Sequence, residues 1–349
     1  MRLSNLEHEV QPNRQSDATW CASSPTMRRL DEEITRVAQA DHPVLITGET
    51  GTGKTTIAHL IHDRSKRTGG VFVDLNCAAI PDGLVESELF GFERGAFTGA
   101  TGYKRGLFQV AEKGTLFLDE VGELKLALQA KLLKAIEQQR IRRLGGIKDI
   151  QCNVRVLAAS SRNLQRMVKQ RTFRDDLYYR LAVFELDLPP LRERREDIRD
   201  LVYRQLADEQ PKVGRAEPFE LEKQALRELC SYSWPGNIRQ LHNVLARLAC
   251  CTDGQPIEAA HVRAELSRFK NLDADTIILP DSCSTLLPGE GLEDFSYRVR
   301  GSAIEAVKNR MGGSTSQAAR RLRVDRSALH RTIQRISTRM EAKATLEMP

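Results

Sequence analysis

The sequence has 349 residues, 40% of them hydrophobic and 29% charged, so it has room for two or three domains of about 100–200 residues each. No apolar run reaches the roughly 18 residues that a membrane span needs, and residues 1–16 lack an apolar signal core, which predicts a cytoplasmic protein. The net charge is +6, but it is unevenly distributed. Residues 297–340 carry eleven Arg and Lys against two acidic residues, a local charge of +9, which leaves −3 for the rest of the chain. A polyanion is therefore expected to bind to this segment.

Composition and periodicity predict six parts of the chain. The first is a polar arm, too short for a sensory domain, and an α/β segment, a helical segment, a Pro- and Gly-containing linker, a second helical segment and a short tail follow. Their predicted ranges are 1–26, 27–190, 191–270, 271–293, 294–340 and 341–349.

The second part alternates helical patterns with short apolar runs at residues 43–47, 71–75, 114–119 and 154–158. Continuous apolar runs of this length are typical of parallel strands that are buried on both faces. Residues 222–231 and 238–250 are predicted helices of the third part. The expected fold is therefore an α/β unit with a parallel sheet, a small helical lid and a separate all-α domain.

A glycine-rich motif follows the first predicted strand. Residues 48–55, GETGTGKT, fit GxxxxGK[ST] and open a predicted helix. Glycines let backbone amides approach phosphates, while Lys54 would reach the β- and γ-phosphate oxygens and Thr55 would ligate Mg²⁺. The pattern predicts a site for ATP and Mg²⁺ formed by Gly48, Glu49, Thr50, Gly51, Thr52, Gly53, Lys54, Thr55 and Thr56.

Two acidic residues end the third apolar run, LFLDE at residues 116–120. Asp119 would help to hold Mg²⁺ through its water shell, and Glu120 would polarise the attacking water. Acidic strand ends are common, so this pattern is informative because it accompanies the phosphate-binding motif.

The segment GAFTGA, at residues 95–100, places Phe97 between two glycines, as at the tip of a mobile loop. With the two preceding motifs it makes the chain resemble the activators of the alternative bacterial sigma factor sigma-54, over residues 27–269 and the C-terminal helices. The resemblance implies contact with sigma-54 and RNA polymerase through Gly95, Ala96, Phe97, Thr98, Gly99 and Ala100. The alternative is a hairpin turn in which Phe97 packs inward.

The resemblance also implies an ATPase that assembles from dimers up to hexamers. Asn76 matches a switch residue that restrains Glu120, although it could instead cap a strand. Arg174 and Arg180 match arginine fingers that reach a neighbouring subunit's γ-phosphate, a task suited to guanidinium; local pairing with Asp175 or Asp176 is the alternative.

Within the lid motif WPGN, at residues 234–237, and its continuation, Arg239 matches a sensor that contacts ATP. The chain departs from the family pattern at Thr55, commonly glutamate, and at Ser160 and Ser161, where Thr-Asn is usual. A serine hydroxyl is shorter than an amide and has one donor, so weaker conversion of hydrolysis into loop movement is expected.

The basic C-terminal segment predicts a helix-turn-helix over residues 314–322 and 325–336. Asp325 is the expected N-cap of the second helix, and the segment resembles the Fis-type domains of the same activators. Expected double-stranded DNA contacts are Arg326, Ser327, His330, Arg331 and Gln334 with base edges, and Arg320, Arg321 and Arg335 with phosphates. A helix pair used only for assembly is the alternative.

The function predicted is an enhancer-bound ATPase that converts closed complexes of sigma-54 polymerase into open complexes. A short form without an N-terminal regulatory domain is expected to be controlled by a trans-acting inhibitor or a related subunit. The runner-up is a DNA-binding regulator whose ATPase fold has lost the motor function; the intact GAFTGA segment argues against it. A chaperone-like unfoldase does not explain the basic helices.

Overall fold

The computed structural model describes residues 20, 22–97, 100–252, 255–273, 292–310, 314–322, 324–325 and 327–336. Most of the predicted arm, linker and tail lie outside these ranges, as do Thr98, Gly99 and Arg326 and the side chains of Arg320 and Arg321. The chain divides into two compact units, residues 1–265 and 266–349.

A five-stranded sheet forms the centre of the first unit. Its strands are β1 (Val44–Thr47), β2 (Phe72–Asn76), β5 (Thr115–Asp119), β8 (Arg155–Ser160) and β9 (Phe184–Asp187). Their order is β2-β5-β8-β1-β9, and each pair of neighbours is parallel. The four predicted strands are confirmed. The fifth, β9, was not predicted, because acidic residues alternate with its apolar ones and only Leu186 is fully buried.

Both faces of the sheet are covered, which explains the continuous apolar runs. In β5, Leu116 and Leu118 belong to one buried cluster, whereas Phe117 between them belongs to the other. Side chains that alternate between two cores in this way identify a central strand of an α/β sheet.

Helices and two small hairpins surround the sheet. The helices are α1 (Pro25–Ala38), α2 (Lys54–Asp63), α3 (Asp82–Phe90), α4 (Leu107–Val110), α5 (Leu126–Gln138), α6 (Leu164–Lys169) and α7 (Asp175–Leu181). The antiparallel hairpins pair β3 (Gly91–Phe92) with β4 (Lys104–Arg105) and β6 (Arg140–Arg142) with β7 (Asp149–Gln151). The hairpin of β6 and β7 was not predicted, and that of β3 and β4 was considered only as the alternative for residues 95–100, since strands of two or three residues give no period.

The lid that follows the sheet is helical, as predicted. It contains α8 (Glu196–Glu209), α9 (Lys223–Ser231), α10 (Asn237–Cys251) and α11 (Ala259–Asp273). Leu241, Val244, Leu245 and Leu248 of α10 are buried at helical spacing, the apolar stripe expected of a packed helix.

The second unit contains α12 (Leu292–Arg310), α13 (Thr315–Arg321) and α14 (residues 327–336). Val307, Ala318 and Leu329 bring all three helices into one small core. Asp325 caps α14 as predicted, because its Oδ1 accepts the amides of Ser327 at 2.8 Å and of Ala328 at 3.2 Å. Helical spacing also predicts that Val324 shares an apolar stripe with Leu322 and Leu329, but Val324 lies between the two helices and is 45% exposed.

Among the helices that the structure describes, none combines the length and the apolar character needed to cross a bilayer.

Candidate nucleotide-binding site

A cleft of about 650 Å³ lies at the carboxyl end of the sheet, beneath the lid. It is lined by Trp20, Thr50, Gly51, Thr52, Gly53, Lys54, Thr55, Thr56, Asn76, Asp119, Glu120, Arg194, Leu201, Ile238, Arg239, His242 and Asn243. The structure therefore brings together most residues predicted to bind nucleotide, from motifs that are far apart in sequence. Gly48 and Glu49 instead line a neighbouring cavity of about 440 Å³.

The phosphate-binding loop needs its glycines. Gly48, Gly51 and Gly53 have φ values of 142°, 80° and 106°, a region that residues with side chains rarely adopt. A Cβ added at Gly51 would lie 2.6 Å from the carbonyl oxygen of Gly236 in the lid. Glycine thus permits both the loop conformation and the close approach of the lid.

Lys54 begins α2, is 6% exposed and points back across the loop. Its Nζ donates to the carbonyls of Gly48 at 3.0 Å and Glu49 at 3.3 Å, and lies 3.6 Å from Oε1 of Glu120. A buried ammonium held this way beside a helix N-terminus suits a phosphate group.

Asp119 ends β5 directly opposite Asn76 of β2. Burial raises the pKa of Asp119, repulsion from Glu120 raises it further, and Lys54 opposes both. A divalent cation would favour the ionised carboxylate. Asp119 and Thr55 line the same cleft, and their oxygens are the ligand type that Mg²⁺ prefers, so these residues fit the cation that accompanies ATP.

Glu120 is held by a residue other than the predicted one. Oε2 of Glu120 accepts hydrogen bonds from the amide of Ser161 at 2.9 Å and from its Oγ at 2.8 Å. Asn76, expected to restrain Glu120, uses its Oδ1 to accept the amide of Ala78 at 2.9 Å. In the structure the Asn76 side chain thus closes the turn after β2, as asparagine side chains commonly do, and its role as a switch residue stays a prediction.

The sequence did not identify the residue that joins the lid to the phosphate-binding loop. Asn237 is fully buried with a φ of 51°, and its Nδ2 donates to Oε2 of Glu49 and to the carbonyl of Thr50, both at 3.1 Å. Its Oδ1 accepts the amide of Leu191 at 2.8 Å. Arg192 pairs with both oxygens of Glu49 at 2.6 and 2.9 Å, and this hydrogen bonding lowers the pKa of Glu49.

Glu49 was predicted to bind nucleotide, but its carboxylate is committed to the lid. In the sequence, the only signal for the role of Asn237 is its position within the WPGN motif.

The two predicted arginine fingers lie outside the cleft, Arg174 directly before α7 and Arg180 in its last turn. Arg174 precedes the helix and forms a bidentate pair with Asp176 at 2.6 and 3.0 Å, the local pairing considered as the alternative. Both side chains are exposed, so solvent screens the attraction between them. Arg180 is exposed, whereas Arg239 lines the cleft as predicted.

Phe97 lies beyond the end of β3, in the connection to β4. It is 41% exposed, and its ring meets that of Phe92 edge-on at 5.0 Å. The amide of Gly95 donates to the carbonyl of Ala100 at 2.9 Å, and the amide of Ala100 donates to the carbonyl of Phe97 at 3.0 Å. These two hydrogen bonds link residues on the two sides of the connection, and Phe97 is partly presented to solvent.

The predicted base-contacting side chains of α14 that the structure describes are all on the surface. Ser327, His330, Arg331 and Gln334 are exposed, and so is Arg335. Polar and charged side chains are thus exposed along one helix of a basic unit.

Trp20 gives the cleft an aromatic wall and a spectroscopic signal. Among the described residues its buried Nε1 has no hydrogen-bond partner. The other tryptophan, Trp234, is fully buried and donates to the carbonyl of Leu229 at 2.8 Å. We expect ATP to change the fluorescence of Trp20. An adenine base in the cleft would change the polarity around the indole and could accept a hydrogen bond from its Nε1.

The measurement is a fluorescence titration with ATP. Trp20→Phe should remove the change and Trp234→Phe should retain it. A response that persists in Trp20→Phe would place the nucleotide away from this wall.

Known protein families match the sheet-containing part of the chain and the lid separately. The family profile described as the Sigma-54 interaction domain matches residues 20–187, and that described as the AAA+ ATPase lid domain matches residues 192–276. Regulatory protein AtoC of Escherichia coli (strain K12) is 38% identical over 94% of this chain and 71% of its own length. DNA-binding transcriptional activator HyfR of the same strain is 42% identical over 90% of this chain, which spans only 47% of that protein.

The solved structure of NtrX from Brucella abortus in complex with ATP superposes with a TM-score of 0.66. It shares 32% identity and covers 91% of this chain and 69% of the NtrX chain. NtrX in complex with ADP gives the same TM-score over 92% of this chain and 70% of the NtrX chain.

Proposed function

The chain belongs to the family of sigma-54 transcriptional activators, and we propose that it uses ATP hydrolysis to convert closed complexes of sigma-54 RNA polymerase into open complexes. One observation carries this proposal. A complete nucleotide cleft and a hairpin that presents Phe97 occur in the same compact unit. An ATPase of another kind needs the first feature but not the second.

The proposed hydrolysis follows from the groups in the cleft. A water oxygen forms a bond to the γ-phosphorus while the bond from phosphorus to the bridging oxygen breaks, and the electron pair of the broken bond stays on the oxygen of the departing ADP. Glu120 accepts a proton from the water, while Lys54 and Arg239 offset the negative charge of the phosphates. Mg²⁺, held through Thr55 and Asp119, would supply further positive charge at the phosphates.

Arg174 and Arg180 support a proposal about assembly. Both are exposed at the two ends of α7 rather than in their own subunit's cleft, so each is accessible to a second copy of the chain. Guanidinium groups stay charged and offer several donors to phosphate oxygens. We therefore assign them to the γ-phosphate of a neighbouring subunit in a homo-oligomeric ring.

The C-terminal unit supports binding to double-stranded enhancer DNA. Its charge of +9 over residues 297–340 and the exposed His330 and Arg331 provide an electrostatic surface and donors for base edges. Binding to DNA near a promoter would raise the local concentration of the ATPase without participating in its chemistry.

The function is tested by transcription from a sigma-54 promoter with purified polymerase. We expect open complexes with ATP and none with a non-hydrolysable analogue. A chain ending at Asn271 should still activate, but only at higher protein concentration. Activation that is independent of nucleotide hydrolysis, or none at any concentration, would contradict the proposed function and favour a regulator without motor activity.

A further inference from the structure

Three separate parts of the first unit meet at one buried side chain, that of Asn237, the first residue of α10. Its Nδ2 donates to the carbonyl of Thr50 and to Oε2 of Glu49, both at 3.1 Å, and its Oδ1 accepts the amide of Leu191 at 2.8 Å. Glu49 and Thr50 belong to the phosphate-binding loop, whereas Leu191 belongs to the connector between β9 and α8, residues 188–195. One side-chain amide therefore joins the loop, the connector and the lid.

The position of Asn237 suits asparagine in both its side chain and its backbone. Nδ2 has two hydrogens and two acceptors, while Oδ1 has a donor, so the amide is satisfied although the residue is fully buried. Removing the amide would leave the amide of Leu191 and the carbonyl of Thr50 without these partners, which is costly in a buried setting. The φ of 51° is left-handed, a conformation that asparagine tolerates better than most residues.

These contacts fix the start of α10 directly over the phosphate-binding loop. The amide of Ile238 donates to the carbonyl of Gly51 at 2.9 Å. A Cβ added at Gly51 would lie only 3.1 Å from the Cβ of Arg239. Arg239 lines the nucleotide cleft and follows Asn237 by two residues. Any tilt of the first turn of α10 would therefore move Arg239 relative to the phosphate side of the cleft.

We propose that Asn237 is the positioning residue for Arg239, because it ties the first turn of the lid helix to the phosphate-binding loop and so keeps Arg239 in place above that loop. This proposal rests on the proposed binding of ATP in the cleft. Asn237 does not itself line the cleft, so its effect passes through Arg239. A cation that meets the phosphates equally in the ground state and the transition state lowers KM and leaves kcat unchanged.

The test measures KM for ATP and kcat in the full chain. Asn237→Gly removes all three side-chain hydrogen bonds, and glycine adopts a positive φ without strain. We expect KM to rise about tenfold while kcat at saturating ATP stays within about twofold of wild type. Asn237→Asp keeps an acceptor for the amide of Leu191 but places a carboxylate oxygen against Glu49 and the carbonyl of Thr50, so it should raise KM at least as much.

Gln139→Gly is the matched control for the change of backbone. Gln139 has the same φ of 51°, is exposed at the end of α5 and does not line the cleft, so this variant should keep KM and kcat near wild type. Loss of folded protein lowers kcat through the active fraction without raising KM. A fall in kcat with an unchanged KM in Asn237→Gly would therefore overturn the proposal.

A double-mutant cycle identifies the route of the effect. In an Arg239→Ala background, Asn237→Gly should raise KM little further, because the guanidinium that it positions is already gone. Additive increases in KM, or an unchanged KM in Asn237→Gly alone, would each overturn the proposal. A wild-type chain that binds no ATP would instead refute the proposed function, a failure that the Trp20 titration detects before any variant is compared.

Discussion

Replacing Glu120 by Gln is expected to leave ATP bound but scarcely hydrolysed, with kcat reduced at least about 100-fold. The amide is close to the carboxylate in size but cannot accept the proton of the attacking water. Lys54→Ala should instead weaken ATP binding by about 100-fold, because the ammonium that begins α2 is the main cation of the loop. Comparing these two variants separates the residue needed for hydrolysis from the residue needed for nucleotide binding in the same cleft.

The measurements are an ATP titration followed through Trp20 and a steady-state hydrolysis assay. Glu137→Gln in α5 and Lys66→Ala beyond the end of α2 make the same chemical changes at exposed positions, and both should leave binding and kcat near wild type. Tight binding by Lys54→Ala would refute its assignment to phosphate.

Replacing Phe97 by Ala is expected to abolish open-complex formation while hydrolysis continues. The ring is 41% exposed and contacts Phe92, and it lies outside the residues that line the cleft. If the ring is an anchor at a protein interface, its removal costs about 2 kcal/mol, so sigma-54 binding should weaken about 30-fold.

Binding is measured with purified sigma-54 in the presence of a non-hydrolysable ATP analogue, and transcription is measured with ATP. Tyr203→Ala removes an aromatic of similar exposure, 44%, from lid helix α8 and serves as the control. Normal transcription by Phe97→Ala would exclude the hairpin from the mechanism. Loss of hydrolysis in the same variant would mean that the ring supports the cleft instead.

The sequence predicted those parts of the site in which chemistry depends on contiguous residues. Lys54 lies six residues after Gly48, and Asp119 and Glu120 end a strand, so each motif is recognisable alone. Parallel pairing then places the carboxyl ends of β2 and β5 side by side, as in folds built from βαβ units. The central strands were predictable for a related reason: their burial on both faces leaves a continuous apolar run.

Long-range polar contacts were not predictable, because no period or spacing encodes them. Ser161 bonds to Glu120, and Arg194, only 2% exposed, donates to the carbonyl of Thr52 at 2.7 Å across 142 residues. The family resemblance assigned the restraint of Glu120 to Asn76, whose side chain makes a local turn instead.

The Phe97 hairpin shares its base with the hairpin formed by β6 and β7. Leu144 donates its amide to the carbonyl of Gly91 at 2.9 Å and accepts the amide of Glu93 at 3.0 Å. Ile147, beyond Leu144, is 92% exposed. Because both connections are joined by this hydrogen-bonded seam, we expect a displacement of one hairpin to be transmitted to the other. The two exposed apolar side chains, Phe97 and Ile147, would then move as one surface rather than independently.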